Sequence, residues 1–154
     1  MKYLWAFLML LTMSSCLDDD TTDYETIDYD AKNETEILNY LDAHELEAQK
    51  SDSGLYYVIN EAGTGAQPQV NSDVRVRYKG YFINGNVFDQ SSEEGITFNL
   101  LQVIAGWREG ITYFKEGGEG MLLIPSRLGY GYQNYNGIPA GSVLIFDITL
   151  LESN

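Results

Sequence analysis

The sequence predicts an α+β fold, many antiparallel strands with one short helix among them and a second short helix ahead. Three observations predict it. Residues 74–82 alternate, with Val74, Val76 and Tyr78 on one side and Arg75, Arg77 and Lys79 on the other. That is the period of a half-buried antiparallel strand. Asn84-Gly85 follows at once, a hairpin signal because both residues tolerate positive φ. Within the second half only residues 104–114 suit a helix, and they stand among short apolar runs bounded by glycine and polar loops.

The elements follow in chain order. Residues 1–15 start with Lys2, run apolar from Tyr3 to Met13 and close on Ser14 and Ser15. They read as an export signal, too short to span a bilayer comfortably. Cys16 comes next and is the only cysteine, so no intrachain disulfide can form. A cysteine after an apolar run and two small residues resembles the lipobox of bacterial lipoproteins. The resemblance implies cleavage before Cys16 and its acylation, each buried CH₂ adding about 0.8 kcal/mol of membrane affinity. An ordinary secretory signal with an incidental cysteine is the plainer alternative. Residues 16–32 are polar and aperiodic and read as an acidic flexible tether. Its run Asp18, Asp19, Asp20 is a solvated spacer. It also resembles the acidic tags that send some Gram-negative lipoproteins to the outer surface. The expected location is therefore a Gram-negative cell envelope, lipid-anchored at the outer membrane.

Residues 33–50 form a helical extension. The spacing predicts a helix over 34–43, capped by Asn33 with Glu36 in capping-box register. Ile37, Leu38, Tyr40 and Leu41 make one stripe, which either packs on the domain or forms a dimer contact. The folded domain covers 51–154. Strands are expected at 55–59, 74–82, 97–101, 121–125 and 142–151, with a strand or bulge at 87–89. The 91–95 and 126–140 segments are loops, and the helix over 104–114 is closed by Gly117 and Gly118.

Charge and composition exclude several functions. The formal net charge is −14, and residues 17–50 hold 12 acidic against 2 basic residues. Such a chain gains nothing from phosphate backbones, so nucleic acid is not an expected partner. The single histidine, His44, falls beside the N-terminal helix and reads as a surface residue. The domain thus has no Cys/His dyad, no Ser-His-Asp triad and no His/Cys metal site. No phosphate-loop or dinucleotide fingerprint is present, and no cofactor is expected. Asp89, Glu93, Glu94, Glu109 and Asp147 could supply a glycosidase pair, but nothing in sequence pairs them.

What remains is an ordered series of aromatic and apolar motifs: VRYKGYF at 76–82, VFD at 87–89, VIAGW at 103–107, IPSRLGYG at 124–131, IPAGS at 138–142 and LIFDITLLE at 144–152. Taken singly, their aromatics read equally well as core. As a set they resemble the FKBP family of peptidyl-prolyl cis/trans isomerases over about residues 54–152. The resemblance implies a curved antiparallel sheet wrapped around one short helix, with the pocket between them. It implies Trp107 as pocket floor and Tyr78, Phe88, Val103, Ile104 and Phe146 as walls. The Ile104 N–H and the Tyr130 hydroxyl would bind substrate carbonyls, and Asp89 would face the twisting amide. Ile138 and Tyr135 would lie on the loop over the pocket. The 90–95 loop is short and acidic and lacks the basic residue many relatives set beside the aspartate.

The expected activity is acceleration of X-Pro bond rotation in exported polypeptides. The implied partners are proline-containing polypeptides, a membrane through Cys16, and macrolides such as rapamycin. A lipid-anchored proline-binding or chaperone-like module with little catalysis is the competing reading, and a surface lipoprotein engaging host proteins a third.

Overall fold

The structure, a computed structural model, describes residues 27–154. The expected signal segment, Cys16 and most of the expected tether lie outside them. The order is α1 (Tyr29–Ala43), β1 (Gln49–Lys50), β2 (Tyr56–Glu61), β3 (Asp73–Phe82), β4 (Val87–Gln90), β5 (Ile96–Asn99), α2 (Ala105–Gly110), β6 (Glu119–Ile124) and β7 (Leu144–Ser153). All strand pairs are antiparallel, in the order β1-β2-β6-β7-β3-β4, with β5 also on β3. This is the α+β architecture expected, with α2 on one face of the sheet and α1 on the other.

The sheet's two covered faces explain its sequence. On β6, Leu122 and Ile124 pack in the cluster around α2, while Leu123 packs with Ile37 and Leu41 of α1. On β7, Leu144, Phe146, Ile148 and Leu150 join the first cluster and Ile145 the second. Strands buried on both sides read as continuous apolar runs rather than alternations. Each of these fully buried aliphatic side chains contributes roughly 1.5–3 kcal/mol. At Gly106 of α2 a Cβ would stand 2.5 Å from Ile124 Cγ2, so this glycine lets the helix lie close on β6.

Several boundaries differ from expectation. Helix α1 starts at Tyr29, not at 34, and its N-cap is Asp28, whose Oδ1 accepts from Asp30 N at 3.1 Å and Ala31 N at 3.0 Å. The tether reading therefore does not hold for residues 29–32, which belong to the helical extension. Asn33 does not cap. It lies inside the helix, fully buried, and its carboxamide bonds elsewhere in the chain. Within the expected stripe, Ile37 and Leu41 are buried on the sheet while Leu38 is 48% exposed. The Asn84-Gly85 hairpin forms, but only Gly85 has positive φ (84°). Gly85 N donates to Phe82 O at 2.8 Å and Phe82 N to Asn86 O at 3.0 Å, the pattern of a type I turn followed by a left-handed glycine.

Strand β5 ends at Asn99, two residues short of expectation, because Asn99 Oδ1 accepts from Leu101 N at 2.9 Å and starts a 3₁₀ turn over Leu100–Gln102. Helix α2 stops at Gly110 and passes into a 3₁₀ turn over Ile111–Tyr113. Phe114 is already extended and wholly buried, so Gly117 and Gly118 shape the turn into β6 rather than cap the helix.

Candidate active site

The concave face between the sheet and α2 holds an aromatic cavity of about 300 Å³. Its floor is Trp107, on the outward turn of α2 and 4% exposed. Three rings meet the indole edge to face: Tyr78 at 5.1 Å, Phe146 at 5.2 Å and Phe98 at 5.3 Å between centroids. Such perpendicular pairs add about 0.5–1.5 kcal/mol each beyond burial and hold the ring orientations. Tyr78 comes from β3, Phe146 from the paired strand β7 and Phe98 from β5, so hydrogen-bonded strands set the wall.

Phe88 is placed by a bulge. Gly80 pairs with Asp89 and Tyr81 with Val87, which leaves Phe88 as the extra residue of β4. Its ring stands perpendicular to Phe146 at 5.5 Å. Gly80 makes room for the pair. A Cβ there would lie 2.7 Å from Phe146 Cε1 and 2.8 Å from Phe88 Cζ.

The polar groups at the cavity are Asp89, Gln102 and the hydroxyls of Tyr78, Tyr130 and Tyr135, beside backbone. Asp89 Oδ2 accepts from the Tyr78 hydroxyl at 2.7 Å. Burial, then the bond to Asp89, pushes the Tyr78 hydroxyl far above the ordinary tyrosine value. Burial, then the neighbouring Tyr135 and Asp89, also raises Tyr130. Both phenols are protonated donors near neutral pH, as ordinary tyrosines are, and the upward shifts extend that range into alkali. The Tyr130 ring stacks on Tyr135 at 4.9 Å, and its hydroxyl has no hydrogen-bond partner among the described residues. Nor has the backbone N–H of Ile104, which begins the turn into α2. Ile104 N–H and Tyr130 OH are thus free donors bordering the bowl of aromatic rings.

Of the residues expected at the site, Tyr78, Phe88, Asp89, Val103, Ile104, Trp107, Tyr130, Phe146 and Tyr135 line the cavity together. Ile138 does not. It is 8% exposed within the main core and acts on the site only by pairing with Tyr135, Tyr135 N to Ile138 O at 2.9 Å and Ile138 N to Tyr135 O at 2.8 Å. Cys16 lies outside the described residues. Phe98 and Gln102 also line the cavity and were not expected. The only advance signal for Phe98 was an aromatic in a predicted strand.

The other acidic residues form no catalytic pair. Glu109 accepts from Ser53 Oγ at 2.7 Å and Tyr113 OH at 2.9 Å, while Asp147 accepts from Tyr81 OH at 3.0 Å. His44 is exposed and stacks on Tyr40. Among the described residues no group of acidic, histidine or cysteine side chains could hold a metal ion, and no helix is long and apolar enough to cross a membrane. A larger furrow of about 430 Å³ on the outer side of the sheet is polar, with Arg77, Lys79, Glu93 and Glu119 at its edges.

A curved antiparallel sheet closed over a short helix, with a tryptophan-floored aromatic pocket between them, defines the FKBP-like class. The family model described as FKBP-type peptidyl-prolyl cis-trans isomerase matches residues 65–151. The chain belongs to this family. It is 49% identical over 106 residues to the FKBP-type peptidyl-prolyl cis-trans isomerase FkpA of Buchnera aphidicola, covering 67% of this chain and 42% of that protein. It is 41% identical over 126 residues to the FkpA of Escherichia coli, covering 79% and 47%. The chain thus spans a little under half the length of these curated relatives. Among solved structures, FkpA from Escherichia coli superposes with TM-score 0.72 at 40% identity, over 80% of this chain and 60% of that one. AtFKBP13 superposes with TM-score 0.64 at 31% identity, over 70% of this chain and 99% of that one.

Proposed function

We propose that this chain catalyses cis/trans isomerisation of X-Pro bonds by binding the twisted amide in the Trp107 cavity. The observation that carries the reading is one apolar bowl floored by Trp107 and bordered by two unpartnered donors, Ile104 N–H and Tyr130 OH. Amide resonance sets a barrier of about 18–20 kcal/mol, and uncatalysed X-Pro rotation takes tens to hundreds of seconds. Twisting removes the C–N double-bond character, so the carbonyl becomes less polar and favours apolar surroundings. The rings of Tyr78, Phe88, Phe146 and Trp107 then hold the twisted form better than the planar one, which is differential binding. Ile104 N–H and Tyr130 OH hold the flanking carbonyls of the peptide. Asp89, fixed by Tyr78, faces the amide whose charge is redistributing. Lowering the barrier by ~6–8 kcal/mol corresponds to roughly 10⁴–10⁶ in rate. No proton is transferred and no cofactor takes part.

The finer reading rests on the sequence. Residues 1–16 carry the export signal and lipobox pattern, so the clients are exported polypeptides and the enzyme is lipid-anchored through Cys16, at the outer membrane of a Gram-negative envelope. Mass spectrometry of the N-terminal peptide tests this: an acylated Cys16 supports it, and a chain that keeps Met1 contradicts it. Pipecolyl macrolides such as rapamycin share the proline-like ring and should compete for the cavity. The functional test is a protease-coupled proline-peptide assay with and without macrolide. Acceleration abolished by saturating macrolide supports the reading. Peptide affinity without acceleration would favour the proline-binding module.

A further inference from the structure

The N-terminal helix does more than precede the domain, because one side chain on it ties both ends of the loop that carries the pocket tyrosines. Asn33 is fully buried. Its Oδ1 accepts from Ser126 N at 2.7 Å, and its Nδ2 donates to Gly141 O at 2.8 Å. Between those anchors runs the 126–141 segment, with Tyr130 and Tyr135 on the cavity wall. Gly141 N closes the base of the same loop on Gly131 O at 3.0 Å, and Gly131 N reaches Ser126 O at 2.8 Å.

Four further contacts from the first turn of α1 land on the same loop. The Tyr29 ring occupies the space a Cβ on Gly141 would fill, and Gly141 has φ +68°. Tyr29 also stacks on Tyr132 at 5.4 Å with planes 9° apart. Asp30 Oδ1 accepts from the Tyr132 hydroxyl at 2.8 Å and faces Arg127 Nη1 at 3.4 Å.

The loop itself contains little regular structure: a 3₁₀ turn over Ser126–Leu128 and the isolated Tyr135–Ile138 bridge. A loop with so little regular structure opens at lower free energy than the sheet unless something outside fixes it. A buried carboxamide that satisfies one backbone donor and one backbone acceptor is such a fixture, since losing it leaves both groups unpaired.

We propose that Asn33 is a positioning residue for the active site, and that α1 acts as a strut holding the Tyr130 and Tyr135 loop in place over the Trp107 cavity. It touches no substrate. It acts through Ser126 and Gly141 on the tyrosines between them. The proposal rests on the isomerase reading for its kinetic consequence, though not for its effect on the loop.

The test is amide hydrogen exchange and proline-peptide kinetics on the full chain, comparing wild type with Asn33→Ala and with the exposed variants Asp30→Asn and Tyr132→Phe. In Asn33→Ala the amides of Gly131, Tyr135 and Ile138 should exchange about tenfold faster or more, the size of effect a lost buried hydrogen-bond pair supports, while those of β3 and β7 hold within about twofold. The apparent KM should rise by about the same factor, with kcat changed less. Asp30→Asn and Tyr132→Phe should shift both readouts the same way by about twofold or more. If Asn33→Ala does not fold, the two exposed variants carry the test. Uniform exchange across loop and sheet in whichever variants fold, or an unchanged loop, overturns the proposal. If wild type proves inactive on peptides, the isomerase reading fails while the exchange data still decide the strut.

Discussion

The Tyr78 hydroxyl donates to Asp89 Oδ2 across 2.7 Å, joining the centre of β3 to the bulged end of β4 at the lip of the aromatic cavity. The short acidic loop after Asp89 brings no cation to the aspartate. In that loop the Glu93 carboxylate faces Arg77 at 3.6 Å, and the Glu94 backbone carbonyl accepts from Arg75 Nη1 at 2.8 Å. A phenol, a protonated donor near neutral pH as any tyrosine is, holds the aspartate instead.

Removing that hydroxyl should be read in catalysis before stability. Tyr78→Phe keeps the ring against Trp107 and frees Asp89, which is exposed and can be solvated. We expect kcat/KM to fall about three- to tenfold while unfolding free energy falls by about 1 kcal/mol or less. A double-mutant cycle with Asp89→Asn checks the pairing: additive losses would show that the two groups act separately.

Gly80→Ala probes the packing beneath. Its added Cβ meets Phe146 and Phe88 at under 3 Å, and neither ring is free to leave. Overpacking of this kind costs about 1–3 kcal/mol, measurable by denaturant unfolding, and should open the cavity wall enough to lower activity as well. A variant as stable and active as wild type would mean the Phe88–Phe146 pair yields more easily than its geometry implies.

The pH profile should separate catalysis from stability. No histidine or cysteine lines the bowl, so activity should stay nearly flat between about pH 6 and 8. Tyr113, pushed up to about 12 by burial and by its bond to Glu109, has a folded value above its unfolded 10.0. A raised folded value means its stability contribution is whole below about pH 10 and is lost as pH climbs through 12. On the acid side, burial alone would raise Glu109, but hydrogen bonds from Ser51, Ser53 and Tyr113 outweigh it and hold the carboxyl below 4.5. That contribution is present above 4.5 and fades as pH drops below it. Thermal unfolding across pH 3 to 12 checks both limbs. A bell-shaped rate profile centred near neutrality would contradict the mechanism.

Much of the site could be read in advance where local pattern and tertiary role coincide. The alternation in β3 survived because its inner residues Val74, Val76 and Tyr78 face one continuous core. Trp107 and Phe146 could be placed because they stand in motifs. The failures have a common physical cause. Asn33 has the composition and spacing of a cap and its Nδ2 does reach Glu36 Oε2 at 3.3 Å, but its other partners are Ser126 and Gly141, distant in sequence, and no local rule anticipates them. Ile138 was expected over the pocket, and its side chain turned instead into the core while its backbone fixed Tyr135. Phe98 reaches Trp107 only because β5 shares an edge of β3 with β4.

Trp107 provides an optical report of occupancy. It is the only tryptophan of the described residues and meets three rings at the cavity floor. Saturation with a pipecolyl macrolide should change its emission, and Trp107→Phe should remove that change. An emission spectrum indifferent to saturating ligand would mean the bowl is closed to it.

The most direct test of the central claim measures rate and affinity on one proline peptide by exchange-resolved NMR, for wild type, Tyr130→Phe and Asp89→Ala. Differential binding of the twisted amide predicts fast cis/trans exchange in wild type. For Asp89→Ala it also predicts a roughly tenfold or greater loss of exchange rate at saturation with ground-state Kd changed by only about twofold, and for Tyr130→Phe, which loses a contact to a flanking carbonyl, a weaker Kd with the saturated rate changed less. Tight peptide binding with no acceleration in wild type, or a rate loss in Asp89→Ala matched wholly by a loss of Kd, would contradict it.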